Sequence, residues 1–150
     1  MSDNVIATNR QAHHEYKILE SLEAGIELKG TEVKSLRGGK ASLKDSFGRV
    51  EGQEIYLYNM HIPPYEFGNI ANVDSLRPRK LLLHRKQIKR FIGELTVKGR
   101  TLLPLKLYFK NGIVKVDVGL AQGKKLYDKR AAIKQRESDR ELRRALKDRK

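Results

Sequence analysis

Asn111-Gly112 lies between two long apolar-rich runs, Leu102 to Lys110 and Ile113 to Leu120. No other dipeptide in the chain limits the fold as strongly. A two-residue connection between antiparallel strands needs positive φ at both turn positions, and Asn-Gly supplies this at little cost. In the second run Val114, Val116 and Val118 alternate with Lys115, Asp117 and Gly119, the period of a strand with one buried face. The pair predicts a β-hairpin.

Further strands are predicted upstream. Tyr16 to Leu19 and Ala24 to Leu28 each carry short alternating apolar positions. Phe47 to Val50 leads through Glu51-Gly52-Gln53 into Glu54 to Tyr58, with Ile55 and Leu57 on one face and the tyrosines on the other. Two helices interrupt this pattern. One spans Thr31 to Arg37, with Thr31 as N-cap and Gly38-Gly39 as its stop. The other runs from about His84 to Lys98, with Ile88, Phe91, Ile92 and Leu95 as its apolar stripe. Pro63-Pro64 and the polar run to Pro78 read as a long loop. The expected fold is mainly β with helices: a small oligonucleotide-binding-type closed β-barrel of about six strands.

The chain has 150 residues, about one domain, with 32 Lys and Arg against 18 Asp and Glu and a net charge of +14. Residues 121–150 hold twelve cations and five anions, so a fifth of the chain carries half the net charge. This predicts a boundary near Leu120, with a barrel domain over 1–120 and a basic C-terminal tail over 121–150. The tail is rich in helix formers but has few apolar residues, chiefly Ile133, Leu142, Ala145 and Leu146. Burial that sparse does not offset ordering entropy, so the tail is expected to be disordered when free and helical when held by a partner.

Several function classes are disfavoured. The chain has no cysteine, hence no disulfide, thiolate metal site or thiol nucleophile. His13-His14-Glu15 gathers ligand-type side chains but is not a His-Glu-x-x-His motif, and no metal or other cofactor is expected. Gly25 and Gly30 have the spacing of a phosphate loop, yet Thr31 stands where its lysine belongs. No serine sits in a nucleophile elbow, and no catalytic residue is assigned. No segment has the length and apolarity of a membrane span, and MSDNVIATNRQAHHEYK lacks a secretory layout. A cytoplasmic protein with no membrane partner is expected.

Cations and rings together point to RNA. Arg77, Arg79, Lys80, Arg85, Lys86, Lys89 and Arg90 form a dense basic run. Tyr56, Tyr58, Tyr65, Phe67, Tyr108 and Phe109 offer ring faces. Cations position a phosphate backbone and rings stack on unpaired bases, so structured RNA with splayed loops fits this composition.

Three blocks then resemble a known family. Glu23-Ala24-Gly25-Ile26 with Gly30-Thr31-Glu32-Val33-Lys34-Ser35-Leu36-Arg37 and Gly39-Lys40 is similar to the signature of the SsrA-binding proteins, also called small protein B. Arg79-Lys80-Leu81-Leu82-Leu83 and Gly123-Lys124-Lys125-x-x-Asp128-Lys129-Arg130 follow in the family's order. The resemblance covers essentially the whole chain. It implies a bacterial, cytoplasmic factor, not an enzyme, that binds transfer-messenger RNA and delivers it to stalled ribosomes for trans-translation. The family fold is an oligonucleotide-binding-type barrel with a basic tail.

By the same resemblance, a barrel face holding Glu23, Leu82 and Lys115 contacts the tRNA-like domain, with Asn9, His14 and Lys80 nearby. Lys115 and Lys80 can pair phosphates, and Leu82 can pack on a base or support the face. Glu23 can accept from base amino groups or a ribose hydroxyl, or form a structural ion pair. The resemblance assigns Gly123, Lys124, Lys125, Tyr127, Asp128, Lys129 and Arg130 to the decoding centre of the small ribosomal subunit, with the rest of the tail helical in the mRNA channel. Some members carry histidine at the Tyr127 position. The protein is expected to be a monomer bound one-to-one with transfer-messenger RNA. The competing expectation is a structural rRNA-binding protein, which would share charge, size and tail.

Overall fold

A computed structural model describes residues 4–67, 72–124 and 140. In chain order the elements are β1 (Asn4–Thr8), α1 (Arg10–Glu15), β2 (Tyr16–Ile26), α2 (Gly30–Arg37), β3 (Phe47–Glu51), β4 (Glu54–Tyr58), β5 (Arg79–Leu82), α3 (Arg85–Leu95), β6 (Arg100–Lys110) and β7 (Ile113–Gly123). The described residues form a mostly β structure of seven strands and three helices.

The Asn111-Gly112 hairpin is present, with φ of 51° and 77° at its two residues. Its strands pair from Lys110–Ile113 back to Arg100–Gln122. Val114, Val116 and Val118 face inward with Leu102 and Leu107, as the alternation requires. All strand pairings are antiparallel, and they link β6 to β3, β4, β5, β2 and β7 in turn. Because β6 also pairs with β7, the sequence of neighbours returns to its start, while β1 adds to β6 from outside.

Inside lies one large core, including Ile55, Leu57, Leu81, Phe91, Leu102, Leu107 and Val116. Phe91 is fully buried, which seats α3 on this core through its expected stripe, with Ile92 and Leu95 partly covered. Gly48 lets β3 approach β6: a Cβ there would lie 2.8 Å from Leu102 Cδ2.

Four expectations are corrected. The two short strands expected at Tyr16–Leu19 and Ala24–Leu28 are a single strand, β2, whose pairing with β7 shifts register between Ile18 and Glu20. Exposure alternates along the whole strand, but apolar Leu19 falls on its exposed face and charged Glu20 on its more covered one, so the sequence pattern looks broken. The first helix is capped by Lys29, not Thr31; Lys29 N–H donates to Glu32 Oε1 at 2.8 Å. The second helix ends at Leu95 rather than Lys98, with Thr96 as its C-cap. Finally, β7 continues to Gly123, three residues past the strand end expected at Leu120. β1, α1 and β5 are additional.

Candidate nucleic-acid interface

Strand register builds the candidate site. On the outward face, Leu82 of β5 is opposite Gly25 of β2, and Gly25 is opposite Lys115 of β7. Neighbouring strands lie about 4.8 Å apart, so Leu82 and Lys115 stand roughly 10 Å apart across a residue with no side chain. Gly25 therefore forms a floor between two walls. Leu82 packs closely over it, since a Cβ on Gly25 would meet Leu82 Cβ at 3.1 Å.

The result is an open groove of about 730 Å³. Glu23 and Lys115 line it from β2 and β7, Lys80 and Leu82 from β5, and Arg85 from the first turn of α3. Leu82 is half exposed although apolar, a position with no core to fill. Lys80 is 3.8 Å from Glu54, and Lys110 is 3.3 Å from Glu23. These are exposed pairs in high dielectric, and partner anions can compete for their lysines at little cost.

Glu23 is the unusual member. Its carboxylate accepts from the Tyr108 hydroxyl, and this bond, with Lys110 and Lys115, holds it below the ordinary carboxylate range against the effect of burial. It is thus kept as an ionised acceptor beside lysines. Such a group repels phosphates and receives N–H or O–H donors, so it adds selectivity rather than raw attraction.

Of the six residues expected on the barrel face, the groove brings together Glu23, Lys80, Leu82 and Lys115. Asn9 and His14 lie elsewhere. Asn9 is buried and structural: its Oδ1 accepts from Ala12 N–H at 3.1 Å and its Nδ2 donates to Pro104 O at 2.8 Å. His14 is exposed at the end of α1, beside Tyr16, Gly123 and Lys124. Tyr16 pairs with Gly123, whereas Glu23 pairs with Asp117. Seven residues of strand, about 23 Å, separate that end from the groove.

Of the tail residues, Gly123 closes β7 and Lys124 is exposed. Lys125, Tyr127, Asp128, Lys129 and Arg130 lie outside the described residues, as does all the tail beyond them except Arg140.

The expected basic run needs one correction. Arg79 points inward and is fully buried, with its Nε 2.5 Å from Glu32 Oε2. Arg77 pairs with the other oxygen of the same carboxylate. These two arginines tie β5 to α2 instead of facing a partner. Arg90 is paired with Glu20.

Sequence reasoning missed Tyr108 as a buried hydroxyl, having read it as a ring face, and placed Asp117 only among the residues that alternate with the valines of its strand. The register that brings Glu23, Tyr108 and Asp117 together spans three strands, and only the hairpin half of it is visible in sequence. Among the described residues, no group of three His, Asp or Glu is placed to hold a metal ion. No helix among them is long and apolar enough to cross a membrane.

Comparison with known proteins shows which family the chain is similar to. The family model described as SmpB protein matches residues 6–148. The SsrA-binding protein of Caldicellulosiruptor bescii is 60% identical over 144 residues, covering 96% of this chain and 91% of that protein. The SsrA-binding protein of Geobacillus kaustophilus is 57% identical over 145 residues, covering 97% and 94%. A solved chain described as "tmRNA-SmpB: a journey to the center of the bacterial ribosome" superposes with a TM-score of 0.67 at 56% identity, over 79% of this chain and 83% of that one. A full-length family match and relatives near 60% identity lead to one conclusion: this chain belongs to the SmpB family, the SsrA-binding proteins.

Proposed function

We propose that this chain binds the tRNA-like domain of transfer-messenger RNA through the Gly25-floored groove and delivers that RNA to stalled ribosomes for trans-translation. The observation that carries the reading is the convergence of Glu23, Lys80, Leu82 and Lys115, from three strands, on one groove. Lys80, Lys115 and Arg85 pair backbone phosphates, Leu82 packs against a base, and Glu23 receives a donor from a base or ribose. The net charge of +14 supplies the sequence-independent part of the affinity through counterion release.

The circuit of strand pairings supports an oligonucleotide-binding-type closed barrel of six strands, with β1 appended. In this reading the barrel works as the RNA-binding unit. The basic tail, including Lys124, Lys125, Tyr127, Asp128, Lys129 and Arg130, serves the decoding centre and mRNA channel. Gly123 belongs to the last strand and marks where the tail departs. The chain acts in the cytoplasm, as a monomer one-to-one with its RNA, and without catalysing a reaction.

The test is affinity as a function of salt for the tRNA-like domain and for an ordinary tRNA, using the full chain and a chain ending at Lys124. The reading predicts tighter binding of the tRNA-like domain and similar discrimination by both chains. Equal affinity for the two RNAs would favour a general rRNA-type binder. Loss of discrimination on removing the tail would contradict the division of labour.

A further inference from the structure

Tyr108 occupies a position that core packing does not explain. It lies on β6, opposite Lys115 of β7 on one side and Val5 of β1 on the other. Its ring is buried, but its hydroxyl reaches a cluster of charge. The hydroxyl donates to Glu23 Oε2, and its oxygen is 2.9 Å from Asp117 Oδ1. Lys110 Nζ is 3.3 Å from the same Glu23 oxygen, Lys106 Nζ is 5.2 Å from the Tyr108 ring centre, and Lys115 is the cross-strand neighbour.

A phenol carries one proton, and two carboxylates flank this one. Burial raises the Tyr108 phenol, and the bonds to Glu23 and Asp117 raise it further, so the proton stays on the oxygen. Glu23 and Asp117 are direct cross-strand neighbours, a like-charged pair that repels unless something bridges it. The hydroxyl is that bridge. Without it, the exposed lysine at 110 would be the remaining hydrogen-bond donor to Glu23 among the described residues, and the carboxylate would follow a flexible side chain.

We propose that Tyr108 is a positioning residue for RNA recognition: its hydroxyl, held between Glu23 and Asp117, fixes the Glu23 carboxylate at the groove so that its free lone pairs meet an N–H or O–H donor of the RNA. This rests on the reading of the groove as the RNA site and adds to it a residue that does not itself line the groove. Cations of the groove set how tightly RNA binds. The Tyr108–Glu23 unit sets which RNA is preferred.

A double-mutant cycle in the full chain tests this. Wild type, Tyr108→Phe, Glu23→Ala and the double variant are titrated with labelled tRNA-like domain and with an ordinary tRNA at fixed salt, after thermal melting has shown each to be folded. Tyr108→Phe is expected to weaken tRNA-like-domain binding by about tenfold, a coupling usual between contacting residues. Its affinity for ordinary tRNA should change little. In the Glu23→Ala background the same substitution should have no further effect. Carboxyl-carbon NMR should also show Glu23 titrating at higher pH in Tyr108→Phe than in wild type.

Equal losses in both backgrounds would mean that Tyr108 only supports the fold, and the proposal would fall. It would also fall if Glu23→Ala weakened binding while Tyr108→Phe did not, leaving the groove reading intact. Wild-type affinity in Glu23→Ala would remove Glu23 from the interface and overturn the proposal together with that part of the groove reading.

Discussion

Glu32 and Arg79 form a buried ion pair across 47 residues of sequence, with Arg79 Nε 2.5 Å from Glu32 Oε2. Arg79 also donates to Met60 O and to Ser75 O, at 3.1 Å for the latter. One guanidinium thus ties α2, β5 and both ends of the 60–78 segment together. It fixes the strand whose next residues, Lys80 and Leu82, form a wall of the groove. Removing Arg79 leaves Oε2 of the buried Glu32 carboxylate without its ion-pair partner and the Met60 and Ser75 carbonyls without this donor, although Arg77 and the Lys29 N–H still hold Oε1. Arg79→Met is therefore expected to cost about 3–5 kcal/mol of stability. Urea unfolding of wild type and variant checks the figure; a loss below about 1 kcal/mol would show that the pair is dispensable.

Acid should act through the same carboxylate. Burial works to raise the Glu32 carboxyl, but hydrogen bonds from Arg77, the Lys29 N–H and Arg79 outweigh it, and the group titrates below its ordinary 4.5. A depressed carboxylate contributes stability that is present above its unfolded pKa and is lost as pH falls through its folded one. Urea midpoints should hold from pH 7 to about 5 and then fall. Glu32→Gln, less stable at neutral pH, should show a shallower decline below pH 4.5.

Gly25 tests the shape of the groove separately from its charge. A side chain there would rise from the floor beside Leu82, where a Cβ already comes within 3.1 Å. Gly25→Val is expected to reduce RNA affinity at least tenfold, about 1.4 kcal/mol. Its β-branched side chain suits a strand, so stability should change by less than about 1 kcal/mol. Filter binding together with thermal melting separates the two effects.

Deleting the residues after Lys124 leaves β7 whole, because its last paired residue is Gly123. The shortened chain is expected to melt within a few degrees of the full chain and to bind the tRNA-like domain comparably. It should fail to support peptide tagging on stalled ribosomes in a reconstituted translation system. Tagging at the full-chain level would contradict the role proposed for the tail.

Much of this architecture could be read from local pattern. The hairpin was legible because Asn111 and Gly112 adopt the positive φ that their chemistry favours. α3 was legible because its burial follows the 3.6-residue period. The long strand β2 was split in the reading because Leu19 occupies its exposed face and Glu20 its more covered one, which breaks the apolar pattern. β5 escaped because it is four residues long and one of its two inward residues is an arginine, and no local rule says that Arg79 meets a carboxylate 47 residues away. The groove was legible only in part. Resemblance to known motifs supplied Glu23, Lys80, Leu82 and Lys115, and the structure adds that Gly25 separates two of them. Tyr108 required tertiary register, since its hydroxyl partners lie 85 and 9 residues away.

The most direct test is the affinity of Lys115→Glu for the tRNA-like domain at moderate salt, measured beside wild type. Lys115 forms one wall of the groove, and reversing its charge removes a phosphate contact and adds a repulsion. The account predicts weaker binding by about 1–3 kcal/mol with the fold intact, and a shallower dependence on salt. Affinity equal to wild type, with an unchanged salt slope, would place the RNA on another face of the protein.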